Sequence, residues 1–207
     1  WAATMRADQG SRLSEEDFEK CAQSGLRRLL IGVESGSQEM MDWLKKDIKM
    51  EQVYRCAELC KKHNIAVIFP FIVGFPDETE KSVTDTVNMS LELNSMHPNF
   101  STPIFYFKPY PGSSITDEVT KKGYVLPKTI HEWSDFDYIG SSGPWVSDSK
   151  YRFFENFKFY MKLGYSQQSV WIKPIQWSAR VRCNNKWFAL PWERKLFQLV
   201  YKKQQLS

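Results

Sequence analysis

Short apolar runs alternate with amphipathic stretches over the first 125 residues of the chain. Four runs are typical of strands, and they cover residues 1–7, 29–33, 66–73 and 103–107. Strands of a parallel sheet are buried on both faces, so they give continuous apolar runs of this kind. Because such runs alternate here with helical patterns, the sequence predicts an α/β fold built from βαβ units around a parallel sheet.

Helical patterns lie between and after these runs, and capping residues mark several of their ends. Ser14 precedes three acidic residues and is typical of an N-cap, whereas Gly25 is typical of the residue that follows a helix. The predicted helices cover residues 15–24, 50–64, 150–163 and 191–203, with one more from Thr79 or Ser82 to about Leu93. The stripe at positions 50, 53, 57 and 60 supports the second of them.

Composition divides the chain into three parts. Residues 1–124 carry the strand and helix alternation, and residues 125–149 are a loop-rich connection with two prolines, two glycines and five serines. Residues 150–207 form a basic, aromatic-rich tail of helical pattern, in which 12 Lys and Arg oppose 2 Asp and Glu for a net charge of +10. The tail suits an acidic protein, an anionic membrane surface, nucleic acid, or packing on the chain's own acidic part.

Overall composition excludes several classes of protein. A chain of 207 residues with 42% hydrophobic and 25% charged residues is long enough and apolar enough to bury a core. No apolar run reaches the roughly 18 residues of a membrane-spanning helix. Four scattered cysteines and no leader-like segment indicate a reducing, cytoplasmic setting. Because the chain opens on Trp1 and a strand-like run, we expect further residues upstream.

Candidate chemistry follows the strands, because ligands of parallel α/β folds gather at the carboxyl ends of their strands. Glu34 follows the second run, and its carboxylate suits ribose hydroxyls or an ammonium group; it equally suits the start of a helix. Gly74 follows the third run and either admits a flat ligand or closes a turn. Phe69, Phe71 and Phe105 either line a site or belong to the core.

Three segments together resemble a known family. They are Ile31-Gly-Val-Glu-Ser-Gly-Ser-Gln38 with Lys46 after it, Phe71-Ile-Val-Gly-Phe-Pro-Asp-Glu-Thr79, and Phe107-Lys-Pro-Tyr-Pro-Gly-Ser113. In order and spacing they resemble the second half of a radical S-adenosylmethionine enzyme over about residues 1–150. The similarity is greatest to the group that often carries an upstream cobalamin-binding domain.

The resemblance implies a partial parallel (β/α) barrel, of which this chain supplies roughly the last four of six βα units, followed by a helical appendage. The cofactor-binding residues that it implies are Arg6, Glu34, Ser35, Lys46, Ile72 and Gly74. Among these, Glu34 would contact the ribose or methionine part of S-adenosylmethionine, and Lys46 would bind its carboxylate. The family's glycine-rich pattern on the fifth strand is only partly matched, because Pro70 replaces its first glycine.

The family's [4Fe-4S] cluster is held by a C-x3-C-x2-C triplet that this sequence lacks. Cys56, Cys60 and His63 imitate its spacing, but on a helix they form a row about 10 Å long instead of converging on a compact cluster. We therefore interpret these cysteines as buried apolar side chains, assign no metal ligand in the chain, and expect the cluster ligands upstream of Trp1.

The resemblance also implies an activity. The full protein would generate a 5′-deoxyadenosyl radical from S-adenosylmethionine, and it would most resemble a cobalamin-dependent methyltransferase acting on an unactivated carbon. An oxidative cyclase, a methylthiotransferase and a non-catalytic fragment whose tail binds a membrane or an acidic protein are the alternatives. The implied partners are a small-molecule substrate and a reductant such as flavodoxin or ferredoxin, with no nucleic acid and with peripheral membrane contact open.

Overall fold

The computed structural model describes residues 1–136, 143–165 and 172–197, which fall in two compact units, residues 1–147 and 148–207. The strands are β1 Ala2–Met5, β2 Arg28–Ile31, β3 Ala66–Ile68, β4 Phe71–Val73, β5 Phe100–Ser101 and β6 Ile104–Tyr106. The helices of the first unit are α1 Ala7–Gly10, α2 Glu15–Gln23, α3 Gln38–Trp43, α4 Met50–Lys62, α5 Glu80–Met96, α6 Ser114–Lys121 and α7 Ile130–Ser134. The second unit contains α8 Asp148–Tyr165 and α9 Lys173–Asn184.

Every strand pairing among the described residues is parallel. One sheet has the order β1-β2-β3-β5, with Met5 opposite Ile31 and Leu29 opposite Val67, and a second sheet pairs β4 with β6. The strands of each sheet keep the order of the chain, although β4 intervenes between β3 and β5, and β5 between β4 and β6. The predicted α/β fold with a parallel sheet is confirmed, while the number of barrel units stays a prediction.

Two prolines explain why the sheet is divided. Pro70 lies between β3 and β4, and Pro103 lies between β5 and β6. A proline has no N–H to donate, so it interrupts the ladder of a sheet. The predicted strand over residues 66–73 is therefore two strands, and the one predicted at 103–107 begins earlier, at Phe100. Backbone bonds from Val33 and Glu34 to the Pro70 carbonyl continue the pairing past the break.

Capping residues begin the helices largely where the sequence places them. Ser14 and Asp17 form a reciprocal capping box at the start of α2. Thr79, not Ser82, caps α5, and its hydroxyl accepts from the Ser82 amide at 3.1 Å. That helix continues to Met96, three residues beyond the predicted end. The predicted stripe on α4 is buried, so this helix packs its apolar face into the core.

Five helices were not predicted from the pattern, namely α1, α3, α6, α7 and α9. The first four have eight residues or fewer, which is too short for a hydrophobic period to be recognised. Helix α9 begins at Lys173 with Pro174 in its first turn, a position at which proline costs little. Of the helix predicted over 191–203, residues 192–197 are helical, and the remainder lies outside the described residues.

In the second unit, α8 and α9 pack through aromatic side chains. Phe154, Phe157 and Tyr160 of α8 are fully buried. A buried ion pair joins Arg182 of α9 to Glu193 with 3.0 Å between Nε and Oε1, and the Tyr160 hydroxyl donates to the same carboxylate at 2.8 Å. Among the residues that the structure describes, no helix is long and apolar enough to cross a membrane.

Candidate functional site

A mostly apolar cavity of about 470 Å³ opens where the strands of the first unit end. Its lining comes from the segment after β2, from β4 and β6, and from the loops that follow them. The lining residues are Glu34, Leu44, Lys46, Pro70, Ile72, Phe75, Phe105, Tyr106, Phe107, Lys108, Tyr110, Ser113 and Ile115. The cavity therefore lies at the carboxyl ends of the parallel strands, as the sequence predicts for a ligand site.

Glu34 and Lys46 form an ion pair on this cavity. The Lys46 Nζ donates to Oε1 of Glu34 at 2.9 Å, and the glutamate side chain is 19% exposed. Within the described part of the chain, no residue donates a hydrogen bond to the second oxygen, Oε2. Glu34 has φ of +67°, which turns the chain sharply as it leaves the sheet. The Glu34 carboxylate and the Lys46 ammonium thus face the same apolar space, which Lys108 also lines.

Arg6 and Asp8 lie behind Lys46 and hold its loop. The Arg6 guanidinium donates to the Lys46 carbonyl at 2.9 Å and to the Asp8 carboxylate at 3.0 Å. Burial raises the pKa of Asp8, but hydrogen bonds from Gln9 and Arg6 outweigh it and hold the pKa below its usual value. Arg6 does not line the cavity, so in this structure it contacts the backbone of Lys46 and not the cavity itself.

Ser35 is fully buried next to Glu34, and its hydroxyl is used within the protein. It accepts from the Ser37 amide at 3.1 Å and lies 3.1 Å from the Thr86 hydroxyl on α5. The Gly36 amide donates to the same threonine oxygen at 3.0 Å. A Cβ on Gly36 would lie 2.6 Å from the Asp85 carbonyl, so only glycine allows this approach to α5. Ser35 and Thr86 therefore fix the loop that carries Glu34.

Ile72 lines the cavity, whereas Gly74 does not, and the backbone polar groups of Gly74 are engaged within the protein. The Gly74 amide donates to Oε2 of Glu78 at 2.7 Å, and its carbonyl accepts from the Trp145 indole at 2.7 Å. The Ile72 amide donates to the Glu34 carbonyl at 2.7 Å. A base bound at the Gly74 carbonyl would have to replace or share the Trp145 N–H, so the role predicted for Gly74 stays a prediction.

The aromatic residues divide between core and cavity. Phe69 and Phe71 are fully buried core residues, while Phe105 and Phe107 line the cavity. The contributions of Thr86 and Trp145 to this site were not predicted from the sequence. Thr86 lies 50 positions from the glycine it contacts, and a hydroxyl in a helix carries no signal of such a partner. Trp145 lies in the loop-rich stretch, where a lone tryptophan indicates only burial.

The cysteines do not form a metal site. Burial raises the pKa of Cys56 to about 11 and the pKa of Cys60 to about 12, so both are inert thiols near neutral pH. Over residues 1–136, 143–165 and 172–197, no group of three or more His, Cys, Asp or Glu residues is placed to hold a metal ion. The described residues therefore do not fit an iron-sulfur cluster.

Fold and cavity together define a parallel α/β domain with a charged pair on an apolar site at the carboxyl ends of its strands. Residues 9–90 of the chain match the family model of the Radical SAM superfamily. The matched residues include α4 and both members of the Glu34–Lys46 pair.

The individual curated relatives share fewer than a third of the aligned residues with this chain. The chain is 23% identical over 139 residues to an uncharacterised methyltransferase of Pyrococcus horikoshii, covering 67% of this chain and 29% of that protein. It is 28% identical over 103 residues to the anaerobic magnesium-protoporphyrin IX monomethyl ester cyclase of Rubrivivax gelatinosus, covering 50% of this chain and 18% of that protein. The chain thus spans less than a third of the length of these curated relatives.

A solved structure with a similar arrangement is the radical S-adenosylmethionine methyltransferase TsrM from Kitasatospora setae, with cobalamin and a [4Fe-4S] cluster bound. The TM-score is 0.48 at 18% sequence identity, and the match covers 58% of this chain and 21% of that one.

Proposed function

We propose that this chain is the S-adenosylmethionine-binding part of a radical SAM enzyme, and that the whole protein is a cobalamin-dependent methyltransferase acting on an unactivated carbon. The observation that carries the proposal is the Glu34–Lys46 pair on an apolar cavity at the carboxyl ends of parallel strands, within the segment that matches the superfamily. The methyltransferase assignment rests on the resemblance of residues 1–150 and on the similarity to the Pyrococcus horikoshii protein.

The donors and acceptors present fit the amino-acid part of S-adenosylmethionine. That part carries an ammonium and a carboxylate, and Glu34 and Lys46 offer one opposite charge for each. Oε2 of Glu34 has no protein donor among the described residues, so an ammonium could bind there without breaking the bond to Lys46. The apolar walls at Ile72, Phe75 and Phe107 exclude water from the same space.

When bound, the cofactor supplies radical chemistry at an unreactive C–H bond. The residues of this chain bind that cofactor and shield it from water. Glu34 and Lys46 orient the cofactor, and Arg6 acts on it only through the Lys46 backbone, as a positioning residue. Ser35 and Thr86 keep the Glu34 loop against α5. Because the described residues do not fit an iron-sulfur cluster, we assign its ligands to other parts of the whole protein.

The experiment is equilibrium binding of S-adenosylmethionine by titration calorimetry, with this chain and with the natural polypeptide that contains it. Hydrogen bonds to charged groups contribute about 1.5 to 3 kcal/mol. Glu34→Gln and Lys46→Met should therefore each weaken binding by at least about tenfold. Glu15→Gln is the matched control, since Glu15 also pairs with a lysine of the first unit but lies outside the cavity. Unchanged affinity in both cavity variants, with the fold intact by circular dichroism, would remove the pair from the site.

The cobalamin assignment is tested separately. The natural polypeptide, purified without oxygen in the presence of cobalamin, should retain it, as its absorption spectrum will show. A protein that binds S-adenosylmethionine but no cobalamin would exclude the methyltransferase of this type and leave the radical SAM site in place. The oxidative cyclase and the methylthiotransferase then remain as alternatives, since relatives of both kinds are similar to this chain.

A further inference from the structure

Among the described residues of the second unit, the exposed charged side chains beyond Asp148 are basic. The two acids of this unit beyond residue 150 are turned inward to partners of their own unit. Glu193 is buried and bound by Arg182, Tyr160 and Ser178. Glu155 accepts from Lys158 at 2.7 Å and lies 4.0 Å from Arg194. Lys173 and Lys195 are exposed, so part of the positive charge of the described residues of this unit faces solvent.

Large apolar side chains are exposed on the same unit. Trp177 is 69% exposed, and Trp187 and Trp192 are each 55% exposed. Leu190 and Leu196 are more than half exposed as well. Tryptophan side chains rarely have more than half of their surface exposed to water. Here three such tryptophans lie within sixteen positions of one another.

These residues lie on adjoining elements. Lys173, Trp177 and Val181 follow one another at four-residue spacing and form an exposed stripe about 12 Å long on α9. Glu193 bonds to Ser178 and Arg182 of α9, so the helical residues 192–197 lie against that helix. The turn between them is held by Arg182, which donates to the carbonyls of Ala189 and Leu190.

We propose that this basic tryptophan surface, defined by Lys173, Trp177, Val181, Trp187, Trp192 and Lys195, binds an anionic lipid bilayer peripherally. Charge complementarity favours an acidic partner, and the exposed aliphatic side chains beside the indoles favour lipid over nucleic acid. Nucleic acid binds to basic side chains and stacks on aromatic rings, whereas leucine and valine side chains offer it neither interaction. A bilayer interface accepts indole rings and aliphatic side chains together and attracts lysine to anionic headgroups.

The test is co-sedimentation of the chain with vesicles of phosphatidylcholine alone and of phosphatidylcholine with 30 mol% phosphatidylserine, at low and high salt. We expect binding only to the anionic vesicles, and we expect 0.5 M NaCl to weaken it, because salt screens the attraction. Each lysine near an anionic surface contributes about fivefold in affinity. Lys173→Gln with Lys195→Gln should therefore weaken binding by about 25-fold.

The control for charge is Lys121→Gln with Lys128→Gln, which makes the same change in net charge on exposed lysines of the first unit. It should leave binding within about twofold of the parent chain. Trp177→Gln with Trp192→Gln should weaken binding by about tenfold or more, because indole burial drives interfacial insertion. Ile130→Gln is its control, since Ile130 is an exposed apolar residue of the first unit.

Three results would overturn the proposal. The first is equal binding to neutral and anionic vesicles, and the second is no binding by a chain that circular dichroism shows to be folded. The third is binding that both double variants retain, which would place the lipid contact elsewhere. A fluorescent single-stranded oligonucleotide is titrated in parallel; if it binds the parent chain, loses affinity in both variants and the vesicles do not bind, the surface recognises nucleic acid instead.

Discussion

Thr86 joins the Glu34 loop to helix α5, and replacing it isolates the contribution of this contact. Thr86→Val keeps the shape of the side chain and removes its hydroxyl. The Ser35 hydroxyl would lose a partner at 3.1 Å, and the Gly36 amide would lose its acceptor at 3.0 Å. Because the threonine is fully buried, water cannot replace the missing oxygen without opening the contact between loop and helix.

The expected loss in the free energy of unfolding follows from these two hydrogen bonds. A buried donor left without an acceptor costs about 1 to 3 kcal/mol, and an ordinary hydrogen bond contributes about 1 kcal/mol. The Gly36 amide is only partly buried, and Ser35 keeps its bond from the Ser37 amide. We therefore expect the free energy of unfolding of the first unit to fall by about 2 kcal/mol. Since the loop then loses its anchor, binding of S-adenosylmethionine should weaken as well.

Native-state hydrogen exchange is the assay, because the chain contains two units and a single melting curve would mix them. The Gly36 amide should exchange faster in Thr86→Val, together with the amides of its immediate neighbours. Ser90→Ala is the control on the same helix: Ser90 is also fully buried, but its hydroxyl donates only to the Val87 carbonyl one turn earlier. This change should cost less than about 1 kcal/mol.

The reasoning fails if Thr86→Val leaves exchange at Gly36 unchanged, or if Ser90→Ala has the larger effect. Either result would mean that the loop is held by its own backbone geometry and not by the hydroxyl bridge to α5.

Three further outcomes are expected. Trp145→Phe removes the indole donor to the Gly74 carbonyl and should lower the free energy of unfolding of the first unit by about 1 kcal/mol, measured by native-state hydrogen exchange. Burial raises the pKa of Glu193, but hydrogen bonds from its own amide and from partners that include Arg182 outweigh burial and hold the pKa below 4.5. The ionised glutamate therefore stabilises the second unit above pH 4.5, and this stabilisation is lost as the pH falls through the pKa of the folded state. A Glu193→Gln chain should lack this part of the acid sensitivity in hydrogen-exchange measurements across pH 2 to 6, and an acid profile identical to that of the parent chain would refute the assignment. Thiol titration of the native chain at pH 8 should modify one cysteine of four, because three are fully buried; rapid modification of Cys56 would contradict the packing of α4.

Several features of the fold could be predicted because each depends on neighbours in sequence. The N-cap at Ser14, the buried stripe of α4 and a strand within the apolar run 29–33 all follow from local spacing. The parallel pairing followed from the alternation of these elements. The short helices and the start of β5 could not be predicted, because a segment of two to eight residues shows no reliable period.

At the candidate site, the residue types came from local motifs, but their use depended on contacts across the chain. Glu34 and Lys46 were predicted to bind the same cofactor, but the 2.9 Å ion pair between them was not predicted. Ser35 and Gly74 were predicted to bind the cofactor, yet their polar groups already bond to Thr86, Glu78 and Trp145. The spacing of residues along the chain does not indicate which distant donor bonds to a given acceptor.

Local patterns of the chain are sufficient to indicate its parallel strands in outline, most of its longer helices and the charge of its basic tail, since each is a property of adjacent residues. Tertiary structure alone decided that Glu34 faces the cavity, that the Ser35 and Thr86 hydroxyls bond to each other, and that Glu155 and Glu193 are bound within their unit while Trp177, Trp187 and Trp192 are exposed. The physical reason is that hydrogen bonds and burial are assigned by three-dimensional packing, in which residues 50 or more positions apart compete for the same partner.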